Sequence, residues 1–281
     1  MKKGLVLEGG GMRGLFTVGV TDVMMENGIV FDGAIGVSAG AAFGCNYKSR
    51  QPGRAIRYNT RFSRDKRYCS LGSLIKTGNL FGADFCYKVI PKELDKFDDD
   101  AYNNNPMEFY VVCTDIETGE AIYKSCPVSD EAMLEYIRAS ASLPLVSKIV
   151  EIDGKKLLDG GMADSIPLKY FESIGYERNI VILTQPEGYV KKENKMMPVI
   201  KRKYRDYPKL IEAIKNRHHV YNETLKYVLS KEVSGDALVI RPNEKLPIGR
   251  IEHDADTMRT VYELGRKAGE ESLCKIREFL K

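Results

Sequence analysis

The order of its apolar segments predicts that this 281-residue chain folds as an α/β protein with a mostly parallel central sheet. Residues 4–7 and 32–37 have the pattern of buried strands, and the apolar periodicity of residues 15–26 between them indicates a helix. Strand, helix and strand in this order form a βαβ unit, whose two strands are parallel. A further apolar run at residues 179–185 is typical of another buried parallel strand.

The rest of the chain predicts more strands and helices within a single domain that spans residues 1–281. No internal repeat or low-complexity linker divides the chain, and its length suits one large α/β domain. Residues 52–106 have a mixed pattern, and we expect this insertion to cover one side of a site. The remaining predicted elements are strands at residues 108–114, 121–123, 148–152, 155–158 and 237–241 and helices at residues 130–141, 167–174, 218–233 and 254–280.

The composition excludes several classes of protein. A formal net charge of +4 is too small for a dedicated nucleic-acid-binding protein, so no nucleic-acid partner is expected. The six cysteines are scattered without a C-x-x-C pair, which indicates a reducing compartment. No run approaches the roughly 18 apolar residues of a membrane span, and the N-terminal apolar run is too short for a signal peptide. We therefore expect a cytoplasmic protein in which any membrane contact is peripheral.

A serine motif follows the second predicted strand directly. Gly36, Ser38 and Gly40 form a G-x-S-x-G pattern, and the small residues after it suit the start of a closely packed helix. Strand, sharp turn and helix are the context of a nucleophile elbow, in which a strained turn exposes the serine oxygen. A tight turn that contains serine by chance has the same pattern, so the motif alone leaves both interpretations open.

A glycine-rich loop, Gly9-Gly10-Gly11-Met12-Arg13-Gly14, follows the first predicted strand and has two functional interpretations. It matches the G-x-G-x-x-G dinucleotide fingerprint, which also needs an acidic residue at the end of the second strand. Asp32 lies at the start of that strand and Ser38 at its end, so we favour a loop that stabilises an oxyanion. The candidate groups are the N–H donors of Gly10, Gly11 and Ala39 and the positive charge of Arg13.

An aspartate leaves the return strand of a predicted hairpin, whose turn is Asp153-Gly154. Asp159 is followed by Gly160 and Gly161, a placement that suits a carboxylate projecting into a cleft. An ordinary turn aspartate has the same local sequence. This stretch therefore leaves both interpretations open.

Residues 191–217 form a basic stretch with interleaved apolar residues. Such a stretch is most often a solvated helix face with an apolar stripe on the core side. It also has the composition of a segment that lies on an anionic membrane surface. Peripheral membrane contact is therefore the second interpretation of this stretch.

Four sequence blocks resemble the motifs of the patatin-like phospholipases, and more narrowly the bacterial, cytosolic branch of that family. They are residues 9–14, 36–40, 139–144 and 159–161, in the family's order and within about residues 4–185. The C-terminal residues 186–281 fit less diagnostically. The resemblance implies a three-layer α/β/α fold with a mostly parallel sheet. It also implies hydrolysis of lipid acyl esters without a metal or another cofactor.

The resemblance further implies a catalytic dyad of Ser38 and Asp159. Ser38 attacks the ester carbonyl to form an acyl-serine intermediate, and Asp159 takes the serine proton and later activates water. The loop at residues 9–14 supplies the oxyanion hole. Substrate head group and chain length do not follow from the motifs.

Three alternatives remain beside the dyad hydrolase. Chain order permits a Ser-His-Asp triad esterase, and among the three histidines only His253 follows a late predicted strand. The glycine loop permits a nucleotide-binding protein. A non-catalytic lipid-binding protein is the third alternative, but it would need neither Ser38 nor Asp159.

Overall fold

The computed structural model describes all 281 residues, and an eight-stranded sheet lies at its centre. The strands are β1 (Lys2–Leu7), β2 (Gly33–Val37), β3 (Glu108–Asp115), β4 (Ala121–Ser125), β5 (Val150–Ile152), β6 (Lys155–Asp159), β7 (Tyr176–Ile182) and β8 (Ala237–Ile240). Hydrogen-bonded neighbours follow one another as β5-β6-β3-β2-β1-β7-β8, and β4 pairs with the edge of β3 opposite to β2 and β6. Strands β3, β2, β1, β7 and β8 run parallel, whereas β4, β5 and β6 join by antiparallel pairs. The predicted mostly parallel sheet is confirmed.

Most predicted helices begin and end within one or two residues of their expected bounds, but the helix predicted at residues 218–233 begins ten residues earlier, at Pro208. The helices are α1 (Gly14–Glu26), α2 (Ala39–Lys48), α3 (Arg54–Phe62), α4 (Leu71–Thr77), α5 (Asp99–Asn104), α6 (Glu131–Ser140), α7 (Leu168–Ser173), α8 (Met197–Lys203), α9 (Pro208–Ser234) and α10 (Ala255–Phe279), with a π-helical segment at Phe85–Leu94 and 3₁₀ turns at Gly11–Arg13 and Gly160–Met162. Asp130 and Asp254 cap α6 and α10, because each carboxylate accepts a backbone N–H of the first turn. None of these helices has the length and apolar character needed to cross a bilayer.

The two faces of the sheet pack against different helical layers. Leu5 and Leu7 of β1 belong to an apolar cluster that includes Phe16 of α1. Val6, which points to the opposite face, belongs to a second cluster that includes Phe171 of α7 and Tyr221 of α9. The sheet is therefore covered on both faces, and the predicted three-layer α/β/α fold is confirmed.

The basic stretch at residues 191–217 does not form one continuous solvated face. Residues 191–196 precede α8 without helical structure, and a break separates α8 from α9. Tyr204 and Leu210 are buried in an apolar cluster under this segment. Residues 201–203 are exposed, whereas Lys191 and Arg217 are partly buried. The structure therefore divides the basic residues between solvent and the interior.

Helices α1 and α10 approach so closely that only glycine fits at two contact positions. A Cβ on Gly19 would lie 2.1 Å from the Tyr262 carbonyl oxygen, and a Cβ on Gly265 would lie 2.0 Å from the Phe16 carbonyl oxygen. Buried side chains of both helices belong to the same apolar cluster. We propose from this contact that residues 1–281 unfold as one domain.

We predict that Gly19→Ala and Gly265→Ala each lower the free energy of unfolding by about 1–3 kcal/mol, because the added methyl group forces the two backbones apart. Urea denaturation followed by circular dichroism measures this change. Gly72→Ala is the matched control, since a Cβ there meets its nearest atom at 3.7 Å and alanine favours the helix. A Gly265→Ala protein with two separate unfolding transitions would contradict the single domain.

Candidate active site

Strand β3 brings the ends of two other strands side by side. Val37, the last residue of β2, pairs with Val112, and Asp159, the last residue of β6, pairs with the next residue, Cys113. Both strands lie along the same edge of β3, because β4 occupies the opposite edge at these positions. Ser38 follows Val37 directly, so the structure brings Ser38 and Asp159 to the same place.

The backbone at Ser38 forms a strained turn between β2 and α2. Ser38 has φ 56° and ψ −120°, values that residues other than glycine rarely adopt. A Cβ on Gly36 would lie 2.5 Å from the Gly40 carbonyl oxygen, and a Cβ on Gly40 would lie 2.4 Å from the Leu7 carbonyl oxygen. The two glycines of the motif are therefore required by close backbone approach, and the geometry matches the predicted strand, turn and helix.

Ser140, at the end of α6, holds this turn in place. Its hydroxyl accepts the Ser38 N–H at 2.8 Å and donates to the Val112 carbonyl at 2.6 Å. Ser140 is fully buried, so no water replaces either bond. Ser140 lies in one of the four sequence blocks, but its local sequence indicates no role for it. Only the folded chain shows that its side chain joins the turn to β3.

The carboxylate of Asp159 is buried and has one oxygen without a partner. Oδ1 accepts the Gly161 N–H at 2.8 Å, whereas Oδ2 has no hydrogen-bond partner. The backbone is fixed as well, since the Asp159 N–H donates to the Ser142 carbonyl. A Cβ on Gly160 would lie 2.2 Å from the Val112 carbonyl oxygen, so this turn also depends on glycine. The unpartnered Oδ2 atom is thus held in place by a tightly constrained backbone turn.

Burial raises the pKa of the Asp159 carboxyl group. The positive charge of Arg217 and the hydroxyl of Ser38 partly oppose this increase. Ser38 is therefore near the carboxylate, although Oδ2 lacks a partner at standard hydrogen-bond geometry. Catalytic hydrogen bonds are often looser without substrate and tighten in the complex. A carboxylate with a raised pKa is a stronger base than an ordinary aspartate.

The glycine loop lies against the serine turn. A Cβ on Gly9 would lie 3.1 Å from the Ser38 Cβ, and a Cβ on Gly14 would lie 3.0 Å from the Ala39 Cβ. Gly11 has φ 59°, and a Cβ there would lie 2.5 Å from the Arg250 carbonyl oxygen. The loop therefore approaches Ser38 as the oxyanion interpretation requires.

Three N–H groups of this region have no backbone acceptor in the protein. The Gly10 N–H has no backbone acceptor in the protein. Gly11 begins a 3₁₀ turn and Ala39 begins α2, and the first N–H groups of a helix have no partner within it. The Ser38 N–H is not available, because it donates to Ser140. The N–H groups of Gly10, Gly11 and Ala39 are the same three donors that the sequence suggested.

An apolar cavity opens beside Ser38. Seventeen of its 22 lining residues are hydrophobic, and Ser38, Ala39 and Gly11 line it together with Arg250. The insertion at residues 52–106 supplies Tyr58, Phe81, Cys86, Tyr87, Ile90, Pro91 and Phe97. The insertion therefore covers one side of the cavity, as expected from the sequence.

Several charged residues near the site were not singled out from the sequence. Arg217 of α9 donates through Nε to the Gly161 carbonyl. Glu8, at the end of β1, is buried and accepts the Tyr221 hydroxyl at 2.7 Å. Arg13, by contrast, was named from the sequence, and its Nε is buried without a partner. Local sequence holds no indication of these contacts, since Arg217 and Tyr221 reach the site from a distant helix.

The three histidines lie outside the cavity that contains Ser38. The Nδ1 atom of His253 is 2.9 Å from the Ser63 carbonyl oxygen. The Nδ1 atom of His218 is 3.0 Å from the Lys215 carbonyl oxygen, and its ring packs against His219. The Asp159 carboxylate accepts no hydrogen bond from an imidazole.

The chain belongs to the patatin-like phospholipase family. The family model described as patatin-like phospholipase matches residues 5–172, which confirms the resemblance seen in the sequence. A second model, described as a domain of unknown function (DUF6363), matches residues 207–281.

Proteins of bacteria and fungi are similar to this chain. The uncharacterized protein YjjU of Escherichia coli is 31% identical over 65% of this chain and 52% of its own length. The lysophospholipase nte1 of Emericella nidulans is 28% identical over 98% of this chain but only 18% of its own length. Among solved structures, VipD of Legionella pneumophila matches with a TM-score of 0.44 and 16% identity, over 96% of this chain and 67% of VipD. The chain thus spans about half of YjjU and less than a fifth of nte1.

We predict that Ser140→Ala lowers the free energy of unfolding by about 1–3 kcal/mol, because it leaves the buried Ser38 N–H without an acceptor. Urea denaturation measures the loss. Ser142→Ala is the control in the same segment. The Ser142 hydroxyl donates to the Arg138 carbonyl, so its removal leaves no N–H group without an acceptor. Equal losses in the two variants would contradict the role given to Ser140.

Proposed function

We propose that the protein is a lipid acyl hydrolase in which Ser38 is the nucleophile and Asp159 the general base. The observation that carries the proposal is the unpartnered, buried Oδ2 of Asp159 beside a serine on a strained turn. Membership of the patatin-like phospholipase family supports the same reaction class. The apolar cavity at Ser38 provides a place for a fatty-acyl chain.

In the first half of the reaction, Ser38 Oγ attacks the ester carbonyl carbon while its proton moves to Asp159 Oδ2. The carbonyl oxygen becomes an oxyanion, which the N–H groups of Gly10, Gly11 and Ala39 stabilise. Each such donor lowers the activation free energy by on the order of 3 kcal/mol. Collapse of the intermediate breaks the bond to the leaving alcohol, which takes the proton from Asp159, and leaves an acyl-serine.

In the second half, water replaces the alcohol. Asp159 accepts a proton from the water molecule, whose oxygen attacks the acyl-serine carbonyl. The fatty acid leaves and Ser38 regains its proton. The buried environment, which raises the Asp159 pKa, helps both proton transfers, because it brings the carboxylate closer in basicity to the groups that it deprotonates.

The absence of an imidazole at the Asp159 carboxylate favours direct proton transfer over a triad. We therefore predict that Ser38→Ala and Asp159→Asn each lose activity on a short-chain aryl ester by about 10³-fold or more. His253→Ala is the matched control and retains most activity, since its ring contacts the Ser63 carbonyl instead.

Two measurements complete this test. A fluorophosphonate probe labels the wild type at Ser38 only, and circular dichroism shows that each variant is folded. A His253→Ala protein as inactive as Ser38→Ala would overturn the dyad in favour of a triad.

We also propose that the exposed basic residues of α8 bring the protein to anionic membranes, where lipid substrates reside. Residues 201–203 of α8 and Arg205, just after it, are exposed, whereas Ile200 and Tyr204 are buried. Val199 is exposed beside them. Such basic residues attract anionic lipid head groups at about 1 kcal/mol each. Contact of this kind would be peripheral.

Charge reversal of Lys201, Arg202 and Lys203 to Glu is predicted to reduce cosedimentation with anionic phosphatidylglycerol vesicles at low salt. Hydrolysis of a soluble, monomeric ester serves as the control and stays near the wild-type rate, because α8 takes no part in the chemistry. Neutral phosphatidylcholine vesicles should bind both proteins weakly. Equal sedimentation of wild type and variant with anionic vesicles would exclude this surface.

A further inference from the structure

The apolar cavity beside Ser38 lies between helices α2 and α6, which both line it. The two helices meet at the serine turn, because α2 begins directly after Ser38 and the hydroxyl of Ser140, at the end of α6, accepts the Ser38 N–H. At the other end of α2, the Lys48 ammonium donates to the Pro127 carbonyl, a few residues before α6 begins. The helices therefore run side by side in opposite directions, and the cavity extends away from Ser38 between them.

Residues of the two helices line the cavity over the same length. Ala42 and Cys45 of α2 lie four and seven residues after Ser38. Met133, which lies seven residues before Ser140, occupies the matching position on α6. At a helical rise of about 1.5 Å per residue, seven residues span about 10 Å. The two helices therefore line the cavity for about 10 Å from the candidate nucleophile.

A buried polar cluster closes the cavity at the end away from the serine turn. The Arg54 guanidinium donates to the Asn46 side chain of α2 at 2.9 Å and forms an ion pair with Asp95 at 3.5 Å. The rings of Tyr58 and Phe97, which line the cavity, lie 5.3 and 5.2 Å from this guanidinium. A longer apolar chain would have to displace the ion pair, and separating a buried pair is strongly unfavourable.

Small side chains line the cavity along α2. Ala42 and Cys45 leave the space beside this helix open, whereas the insertion at residues 52–106 supplies large side chains such as Phe81 and Tyr87. A larger side chain on α2 would fill the open space. Its position along the helix would set how far from Ser38 the cavity ends.

We propose that this cavity limits the acyl group to about eight to ten carbon atoms and that Ala42 and Cys45 lie along the path that sets the limit. Each bond of an extended acyl chain advances it by about 1.3 Å, since carbon–carbon bonds of about 1.5 Å meet at near-tetrahedral angles. A length of about 10 Å beyond the ester carbonyl therefore holds about eight further carbons. The inference rests on the proposed acyl hydrolase activity and adds a substrate class to it: esters of medium-chain fatty acids.

A series of p-nitrophenyl esters from butanoate to tetradecanoate tests the limit, because its members share one leaving group and differ only in the acyl chain. The full chain is used, each ester is kept below its aggregation concentration, and release of p-nitrophenol gives kcat/KM. We expect kcat/KM to rise about three- to fourfold with each added methylene up to octanoate or decanoate. From decanoate to tetradecanoate it should fall about tenfold or more, because the chain meets the ion pair of Arg54 and Asp95.

Two substitutions on α2 should shorten the preferred chain by different amounts. Ala42→Leu fills the cavity about 6 Å from Ser38 and should lower the decanoate-to-butanoate ratio of kcat/KM about a hundredfold, as expected when about four methylenes lose their place. Cys45→Leu fills the far end and should lower this ratio only about tenfold, with the hexanoate-to-butanoate ratio near the wild-type value. A general loss of folded protein would instead lower kcat/KM for all esters by one factor.

Ala132→Leu is the matched control. It introduces leucine in place of alanine at an exposed residue of α6 that does not line the cavity. Its dependence of kcat/KM on acyl length should match that of the wild type.

The outcomes separate the inference from the proposed function. A wild-type kcat/KM that still rises from decanoate to tetradecanoate would overturn the limit and leave the hydrolase intact, as would wild-type length profiles in both Ala42→Leu and Cys45→Leu. Should Ala42→Leu hydrolyse no ester, the Cys45→Leu ratios decide between the same two results. Hydrolysis of the whole series by Ser38→Ala at the wild-type rate would overturn the acyl hydrolase and the inference together.

Discussion

The candidate site depends on one shared edge of β3. Strand β2 ends opposite Val112 and β6 ends opposite Cys113, so successive residues of one strand align Ser38 and Asp159. The Val112 carbonyl then accepts the Ser140 hydroxyl, which in turn accepts the Ser38 N–H. A hydrogen-bonded ladder defines positions to within a few tenths of an ångström, and the proposed dyad, which has no orienting histidine, would require this precision.

Burial and the neighbouring positive charge change the pKa of Asp159 in opposite directions. Burial raises its pKa, which strengthens it as a base, while the Arg217 charge partly restores the ionised form. The same guanidinium is held by the Gly161 carbonyl, so its distance from the carboxylate is set by the turn itself. A carboxylate that is neither fully neutralised nor fully paired can accept and return a proton. Burial and the neighbouring Arg250 lower the pKa of Arg217, whereas the charges of Asp159 and Glu8 raise it.

The C-terminal part of the chain completes this arrangement, although the patatin-like phospholipase model matches only residues 5–172. Helix α9 supplies Arg217 and the Tyr221 hydroxyl that binds Glu8. The segment before α10 supplies the Arg250 carbonyl that accepts the Met12 N–H. These contacts join residues of the second matched region, 207–281, to the glycine loop and the aspartate turn. The candidate site is thus built from both regions.

The sequence by itself determined the layered α/β fold, the parallel βαβ unit and the family. These properties are encoded locally: apolar periodicity specifies strands and helices, and tight turns at Gly36 and Gly40 admit only glycine. Ser38 and Asp159 could be named as candidates because their motifs are contiguous. The tertiary structure alone decided that Ser140 holds the serine turn and that Arg217 contacts the Gly161 carbonyl beside Asp159. Those contacts join residues far apart in the chain. Burial affects the pKa values and the partners of these residues, and a local pattern of basic residues does not reveal which of them are buried.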